Sequence, residues 1–265
     1  MDITTMATLR PEILRRTLTS FRENLFGSYD EHRLIINIDP AGASTENFTQ
    51  SDVLDVAHEF FGDRIKANLP EKPSYPAAHC WLWSQVQSDW FWNIEEDWSA
   101  EVKIPLGDLM SYMISNPWLA IIRLSRFGAT DAEARAWNKS FPILCPIGDG
   151  ALYECPEELR GMLGYSGHPS LINTRWLRMV RRFVMPCGNS EQQVKTFVFG
   201  NALPVPDRDP LKNMVAAHMR SILPEWRYCV YADPKATCVV RDIGEDWRRK
   251  HKVKKLHGKE TWSFE

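Results

Sequence analysis

Three consecutive acidic residues give this sequence its clearest chemical signal. Glu95, Glu96 and Asp97 directly follow an apolar stretch, residues 90–94, that has the composition of a buried strand. Carboxylates this close repel one another unless a cation offsets their charge, and such oxygen ligands suit Mg²⁺ or Mn²⁺. The segment therefore predicts either a divalent-metal site or a solvated acidic turn.

The composition limits the classes of protein to consider. With 265 residues, 44% hydrophobic and 25% charged, the chain can form a full core, which excludes a disordered, collagen-like or coiled-coil protein. The net charge of -2 gives no global positive field, so attraction to nucleic acid or membrane must come from a local patch. The six cysteines form no Cys-x-x-Cys pair, which predicts reduced thiols. Without a signal peptide or an apolar run of ~18 residues, we expect a cytoplasmic protein with no membrane partner.

Apolar runs and helical spacings alternate along the first half of the chain. Leu14, Leu18, Phe21 and Leu25 recur at steps of four, three and four, which is typical of one helix face. Strands are predicted over 3–8, 33–39, 90–94 and 119–124, and helices over 11–27, 53–61, 77–86 and 106–114. This order predicts an α/β fold with a mixed, mainly parallel sheet flanked by helices. In such sheets ligands bind beyond the carboxyl ends of the strands, where the acidic residues lie.

The second half has a looser pattern. Helices are predicted over 191–199 and 211–222, one or two strands within 229–240, and a basic tail over 241–255. No Gly/Ser-rich linker separates the halves. We therefore expect a single domain in which residues 1–125 bind a nucleotide and residues 126–265 bind the other substrate.

The first half resembles the GT-A glycosyltransferases, especially those similar to family 2. The likeness rests on Thr4-Thr5-Met6-Ala7-Thr8-Leu9-Arg10-Pro11, on Ile35-Ile36-Asn37-Ile38-Asp39, and on Glu95-Glu96-Asp97 in the place of a DXD motif. It implies a GT-A (Rossmann-like) fold and transfer of sugar from a nucleotide-diphosphate sugar, with a UDP-sugar as first choice, to an acceptor hydroxyl. It also implies Mn²⁺ or Mg²⁺ as cofactor. Glu at the first acidic position departs from the family motif.

The resemblance assigns roles to individual residues. Asp97, with Glu95, would hold the diphosphate through the metal, and Asp39 would meet the base or ribose. Asp242 would add a metal ligand from the C-terminal segment, although no motif fixes which residue there takes part. The donor-binding set is Thr4, Thr5, Arg10, Asp39, Glu96, Trp98, Trp247 and Arg248.

Glu191 and His168 are the candidate catalytic residues. Glu191 opens a predicted helix where inverting members of the family place a carboxylate general base, but the helix dipole also favours an acidic residue there. His168 lies in segment 164–171, which resembles the acceptor-side loop, and a lone His before Pro is also a common structural residue. The sequence leaves both alternatives open, and with them inversion or retention of configuration.

The basic tail and the tryptophans leave the acceptor open. The basic tail fits three alternative roles. It is a solvated terminal segment, a flap that neutralises the departing diphosphate, or a segment that contacts nucleic-acid phosphates. Trp98 either packs in the core or touches a sugar ring or base. A sugar, a protein or a hydroxylated DNA base would fit as acceptor. Two other functions stand as alternatives. One is a nucleotidyltransferase, although such enzymes usually have a Gly-rich phosphate loop that this chain lacks. The other is a non-catalytic Trp-rich module that binds carbohydrate or nucleic acid.

Overall fold

The computed structural model describes residues 1–42, 47–126, 142–156, 165, 167–187, 189–197, 226–251, 255–257 and 262–264. Its strands are β1 (Asp2–Ala7), β2 (Arg33–Ile38), β3 (Ile65–Asn68), β4 (Trp90–Asn93), β5 (Trp98–Ala100), β6 (Leu119–Leu124), β7 (Ile143–Ile147), β8 (Gly150–Glu154), β9 (Ser170–Asn173), β10 (Arg227–Ala232), β11 (Val240–Asp242), β12 (Lys255–His257) and β13 (Trp262–Phe264). Its α-helices are α1 (Pro11–Phe21), α2 (Gln50–Phe61), α3 (Tyr75–Gln85), α4 (Leu106–Ser115), α5 (Thr174–Val180), α6 (Ser190–Phe197) and α7 (Gly244–His251).

Nine of the described strands form one central sheet in the order β3-β2-β1-β4-β9-β6-β10-β8-β7. Strands β3, β2, β1 and β4 are parallel to one another, and β6 is parallel to β10. Strands β9 and β8 run against their neighbours. The predicted mixed, mainly parallel α/β sheet is confirmed. The pairs β5–β11 and β12–β13 form two small antiparallel sheets.

The parallel register brings three strand ends to one edge of the sheet. Ala7 at the end of β1 lies beside Ile38 at the end of β2, and the amide of Asp39 donates to the Ala7 carbonyl at 2.8 Å. On the other side of β1, the Ile94 amide after β4 donates to the Thr4 carbonyl at 2.9 Å. The residues that follow β1, β2 and β4 therefore leave the sheet side by side.

Helices cover both faces of the sheet, as the alternating sequence predicts. On one face α1, α2 and α4 bury residues such as Leu14, Phe61 and Met113. On the opposite face α3, α5 and α6 bury residues that include Trp83 and Trp176. Among the described residues, no helix has both the length and the apolar character needed to cross a bilayer.

Several short elements were not predicted by the apolar pattern. Strand β9 has only four residues, yet all four are buried because it inserts between β4 and β6. The hairpin β7–β8 and helix α5 were also missed. Gly27, at φ 69°, ends the helical segment after α1 through a π-helical turn over Arg22–Phe26. The helix predicted over 211–222 lies outside the described residues.

His79 on α3 is a buried polar residue with an unusual environment. Its ring is 2% exposed and packs edge-on against Tyr75 at 4.6 Å and Trp83 at 5.4 Å. In the described structure, neither ring nitrogen has a hydrogen-bond partner. Burial lowers the pKa of His79 to about 4, so the native state holds this ring neutral at pH 7.

Replacing His79 by Phe should make the protein less sensitive to acid. Because the folded pKa lies below the usual 6.5, the native state loses stability as pH falls from about 6.5 towards 4. Between pH 7 and pH 4.5 this linkage amounts to roughly 2 kcal/mol. Urea unfolding at both pH values should show that His79→Phe removes this part of the decline. An equal decline in the two proteins would contradict the neutral buried ring.

Candidate functional site

A cleft opens at the edge where β1, β2 and β4 end. Side chains from the turn after β1, from the end of β2 and from the loop after β4 meet there, as the parallel register requires. Four of the carboxylates that the sequence singled out line this cleft. The lining residues are Met6, Thr8, Arg10, Asp39, Glu95, Glu96 and Asp97.

Arg10 and Glu96 form a buried ion pair at the base of the cleft. Arg10 is 4% exposed and Glu96 is 2% exposed. The Glu96 carboxylate accepts from Nε of Arg10 at 2.9 Å and from its Nη2, and also from the Thr8 amide at 2.8 Å and hydroxyl at 2.7 Å. The Thr17 hydroxyl donates to the Glu96 carbonyl. Glu96 therefore ties the acidic loop to the turn after β1 and to helix α1.

Asp97 lies between two arginines. Its Oδ2 accepts from Nη2 of Arg10 at 3.1 Å and lies 3.6 Å from Nη1 of Arg248. Burial alone would lower the pKa of Arg10, but the carboxylates of Glu96 and Asp97 outweigh it and raise that pKa. Arg10 is consequently a permanent cation beneath the Asp97 carboxylate.

The C-terminal segment closes directly on the acidic loop. The amides of Ile243 and Gly244 donate to the Asp97 carbonyl at 2.8 and 3.2 Å. The Trp247 ring lies 5.2 Å from the Arg10 guanidinium and stacks on His251 at 4.6 Å. Helix α7 thus packs over the ion pair that holds Asp97.

Asp242 lies at the start of this closing segment. One carboxylate oxygen accepts from the Glu245 amide at 3.0 Å, and the other lies 3.5 Å from Nη2 of Arg248. Arg248 thereby links Asp242 to Asp97. The side chain of Arg248 is 18% exposed, so this cation is partly accessible to solvent beside Asp97, which lines the cleft.

Asp39 occupies the end of β2 on the other side of the cleft. Its carboxylate accepts from Nδ2 of Asn37 at 2.7 Å and from the Ser74 amide at 3.2 Å. Burial raises the pKa of Asp39, the two hydrogen bonds oppose this, and the Glu96 charge adds to the increase. The result is a carboxyl group fixed in orientation and raised in pKa.

Glu95, His168 and Trp98 form the wall towards strand β9. An added Cβ at Gly167 would overlap the Glu95 carboxylate, so the backbone at Gly167 presses on this side chain. The neighbouring His168 ring packs at 4.5 Å on Trp98, which is 4% exposed. His168 and Trp98 therefore lie beside the acidic loop, with most of the Trp98 surface inside the core.

Glu191 lies in the first turn of α6 and is not among the residues that line the cleft. Burial raises the pKa of Tyr75 and Tyr165, and the carboxylates of Glu95 and Glu191 raise both further. Burial also lowers the pKa of Arg123 on β6 to about 10, against the opposing charge of Glu191. Glu191 and Glu95 thus approach one pair of buried tyrosines from two sides.

The structure brings together most, but not all, of the residues that the sequence selected. Arg10, Asp39, Glu95, Glu96 and Asp97 line the cleft, and Asp242, Trp247 and Arg248 dock on it. Thr4 and Thr5 instead lie inside the sheet, fully buried. The cleft residues that sequence reasoning missed are Met6 and Thr8. Thr8 carried a usable signal, because it belongs to the same Thr-rich segment.

The cleft carboxylates suit a hard divalent cation by their donor type. Glu95 and Asp97 offer the oxygen ligands that Mg²⁺ and Mn²⁺ prefer. Within the described residues no group of three or more His, Cys, Asp or Glu side chains forms a metal cage. Mg²⁺ requires no such cage, since it usually binds through one or two carboxylates with substrate phosphates and water. These residues therefore fit a cation that is shared with a diphosphate.

Comparison with known proteins gives no match by sequence and several by structure. No protein-family model and no curated protein matches the chain. S. aureus TarS 1–349 aligns with a TM-score of 0.50 at 14% identity, covering 85% of this chain and 70% of that one. Its complex with UDP-GlcNAc aligns with a TM-score of 0.50 at 12% identity, covering 75% and 54%. The Pyrobaculum calidifontis mannosyltransferase PcManGT, with GDP-Man and Mn²⁺, aligns with a TM-score of 0.49 at 10% identity, covering 77% and 55%.

At these identities the alignments with TarS show the fold alone. The predicted GT-A fold is confirmed by them. The alignment spans about half of the TarS chain that was solved with UDP-GlcNAc.

Gly244 provides a direct test of how the C-terminal segment closes. A Cβ at this position would overlap Oδ2 of Asp97 and lie 2.7 Å from its Cβ. We expect Gly244→Ala to lower the free energy of unfolding by about 1–3 kcal/mol, as overpacking does. Gly107→Ala is the matched control, because no atom lies within 4 Å of its added Cβ. Urea unfolding that shows equal stability for the two variants would mean that Asp97 and α7 do not touch as described.

Proposed function

We propose that the protein is a glycosyltransferase that moves a sugar from a nucleotide-diphosphate sugar, most simply a UDP-sugar, to an acceptor hydroxyl. The observation that carries this proposal is the position of Asp97, held between Arg10 and Arg248 beside Glu95, at the strand edge where α/β sheets bind ligands. The GT-A fold shared with TarS, which was solved with UDP-GlcNAc, supports it.

The cleft offers complementary charges to the two ends of a donor. Asp39 would accept hydrogen bonds from the base or ribose, since its carboxylate is oriented by Asn37 and Ser74 at the cleft wall. Asp97 and Glu95 would hold Mn²⁺ or Mg²⁺ together with the diphosphate, and Asp242 lies one side chain away, across Arg248. A bound divalent ion would stabilise the negative charge of the leaving diphosphate.

Arg248 is the protein group best placed to assist departure of the diphosphate. It contacts Asp97 and Asp242, is partly exposed, and belongs to the helix that covers the acidic loop. A guanidinium aimed at developing negative charge lowers the barrier most where water is excluded. Arg10, which is buried and paired with Glu96 and Asp97, would instead keep the acidic loop in position. Glu96 would thus act on the donor through Arg10, and Trp247 through its contact with the same guanidinium.

Glu191 is the proposed general base. It lies in the first turn of α6, and its charge acts on Tyr75 and Tyr165 together with that of Glu95. It would accept the proton of the attacking hydroxyl if configuration is inverted. His168 and Trp98 would then line the space between donor and acceptor. Residues 1–125 would bind the donor and residues 126–265 the acceptor, for which a sugar, a protein and a hydroxylated DNA base are the candidates.

Replacing Asp97 by Asn should abolish metal-dependent donor binding. At ligand concentrations of about 100 times Kd, binding stabilises the native state by about 2.7 kcal/mol, which corresponds to a rise in Tm of roughly 5–10 °C for a domain of this size. Thermal unfolding of the wild type should show this rise with UDP and Mn²⁺ together, and Asp97→Asn should lose most of it. Asp55→Asn, on the exposed surface of α2, is the matched control. A full rise in Asp97→Asn would remove this residue from the donor site.

Replacing Glu191 by Gln should separate chemistry from donor binding. Loss of a general base lowers turnover by about 10²–10⁴-fold, whereas the rise in Tm with UDP and Mn²⁺ should stay. UDP release from UDP-sugars without acceptor measures turnover, because water then takes the place of the acceptor hydroxyl. Glu71→Gln is the matched control. Glu71 is an exposed acidic residue far from Glu191 in the sequence, and its variant should release UDP at the wild-type rate. Near-normal release by Glu191→Gln would exclude it as the base.

A further inference from the structure

Helix α5 and the turn after it carry four exposed arginines. Arg175, Arg178, Arg181 and Arg182 are all exposed, while Trp176, Leu177 and Val180 on the opposite side are buried in the core. Positions 175, 178 and 182 are separated by three and four residues, so their side chains share one helix face. We call this set the α5 arginine surface.

Among the described residues, no Asp or Glu forms an ion pair with the α5 arginine surface. Residues 165–190 contain four arginines and no Asp or Glu, and the packed helix α3 carries no charged Asp, Glu, Lys or Arg. Asp89 is the acidic residue next to the start of α5, where its carbonyl accepts from the Thr174 amide. In the part of the chain that the structure describes, none of the ion pairs involves any of the four arginines.

The C-terminal basic tail differs from this surface in one decisive respect. Its described arginines are paired with carboxylates: Arg241 with Glu101 and Asp246, Arg248 with Asp97 and Asp242, and Arg249 with Asp246. The arginine charge that the sequence displays in the tail is thus used within the fold. The charge of α5 is available to an external anion.

An exposed aromatic residue adjoins the arginines. Trp118 is 42% exposed, and the Arg175 guanidinium lies 4.9 Å from its ring. Cations beside an aromatic surface are the combination with which proteins bind nucleic-acid strands, through phosphates and bases together.

The α5 arginine surface also leads towards the proposed active site. Strand β9 runs from Ser170, which pairs with Asn93 at the cleft edge, to Asn173, which pairs with Trp90 at the far edge. Helix α5 starts from that far edge, and the turn after it, Arg181–Phe183, contacts α6. Glu191 lies in the first turn of α6. A strand bound along the arginines would therefore approach the proposed base.

We propose that the α5 arginine surface binds the phosphate backbone of a DNA acceptor and guides a base towards Glu191. This inference rests on the transferase function proposed above, for which it specifies the acceptor class. Because the net charge of the chain is -2, the attraction is local and should be strongly salt-dependent.

The test measures DNA binding without donor or metal. The probe is a fluorescein-labelled duplex of about 20 base pairs, titrated by fluorescence anisotropy between about 50 and 200 mM salt. Arg178→Gln with Arg182→Gln is the informative double variant, since neither side chain makes a described contact. Loss of two phosphate contacts should reduce the slope of log K against log salt by about 1.8 and weaken binding roughly 10- to 100-fold.

The matched control is Arg16→Gln with Lys66→Gln. It also removes two positive charges, but from exposed positions on α1 and β3. We expect the control to bind DNA as the wild type does. Equal binding by all three proteins, or no binding by the wild type at about 50 mM salt, would overturn the proposal. The proposal would also be overturned if a polyglutamate peptide bound as tightly as the DNA and lost binding in the same double variant. That result would indicate an acidic protein partner.

The donor site gives an independent reading in the same proteins. Arg178→Gln with Arg182→Gln should keep the rise in Tm with UDP and Mn²⁺, because neither residue touches the cleft. If the wild type binds DNA through these arginines but shows no rise, the transferase proposal fails while DNA binding is supported. If it shows the rise but binds no DNA, only the acceptor assignment fails.

Discussion

The candidate site depends on the buried pair of Arg10 and Glu96. Two charges in a protein interior are costly unless each is fully paired, and removal of one partner typically costs about 3–5 kcal/mol. Here the Glu96 carboxylate is satisfied by Arg10 and by both donors of Thr8. That satisfaction fixes the loop after β4 against the turn after β1, and only then is Asp97 presented to the cleft. The fold and the chemistry therefore share one interaction.

Charge balance around Asp97 explains why the C-terminal segment belongs to the site. Arg10, which is buried, and Arg248, which is partly exposed, both lie close to the Asp97 carboxylate. Arg10 has a second buried acid to hold it, whereas Arg248 is partly exposed and is shared with Asp242. An incoming diphosphate would compete for Arg248 far more easily than for Arg10. We infer that Arg10 stabilises the structure of the site and that Arg248 contacts the ligand.

The sequence predicted the first half of the sheet well because each long element there has its own periodic signal. The acidic residues after β4 and Asp39 after β2 were placed correctly at one edge, since parallel strands leave no other choice. Thr4 and Thr5 are buried inside the sheet. Strand alternation and burial decide where their side chains point, and a motif resemblance does not take these into account. The position of strand β9 and the contact made by Gly244 could not be predicted from periodic patterns in the sequence. Their roles come from contacts with residues that are distant in the chain.

Local charge in a sequence is a poor measure of charge that a partner can use. The tail over 241–255 contains seven Lys and Arg residues, yet its described arginines meet carboxylates from the loop after β4, from Glu101 and from α7 itself. The α5 arginine surface has four arginines within residues 175–182, and no acid precedes or follows them closely in the chain. What decides between the two is the tertiary environment, because pairing removes a cation from long-range attraction. A net charge of -2 is thus compatible with a strongly basic surface, provided that the compensating acids lie elsewhere.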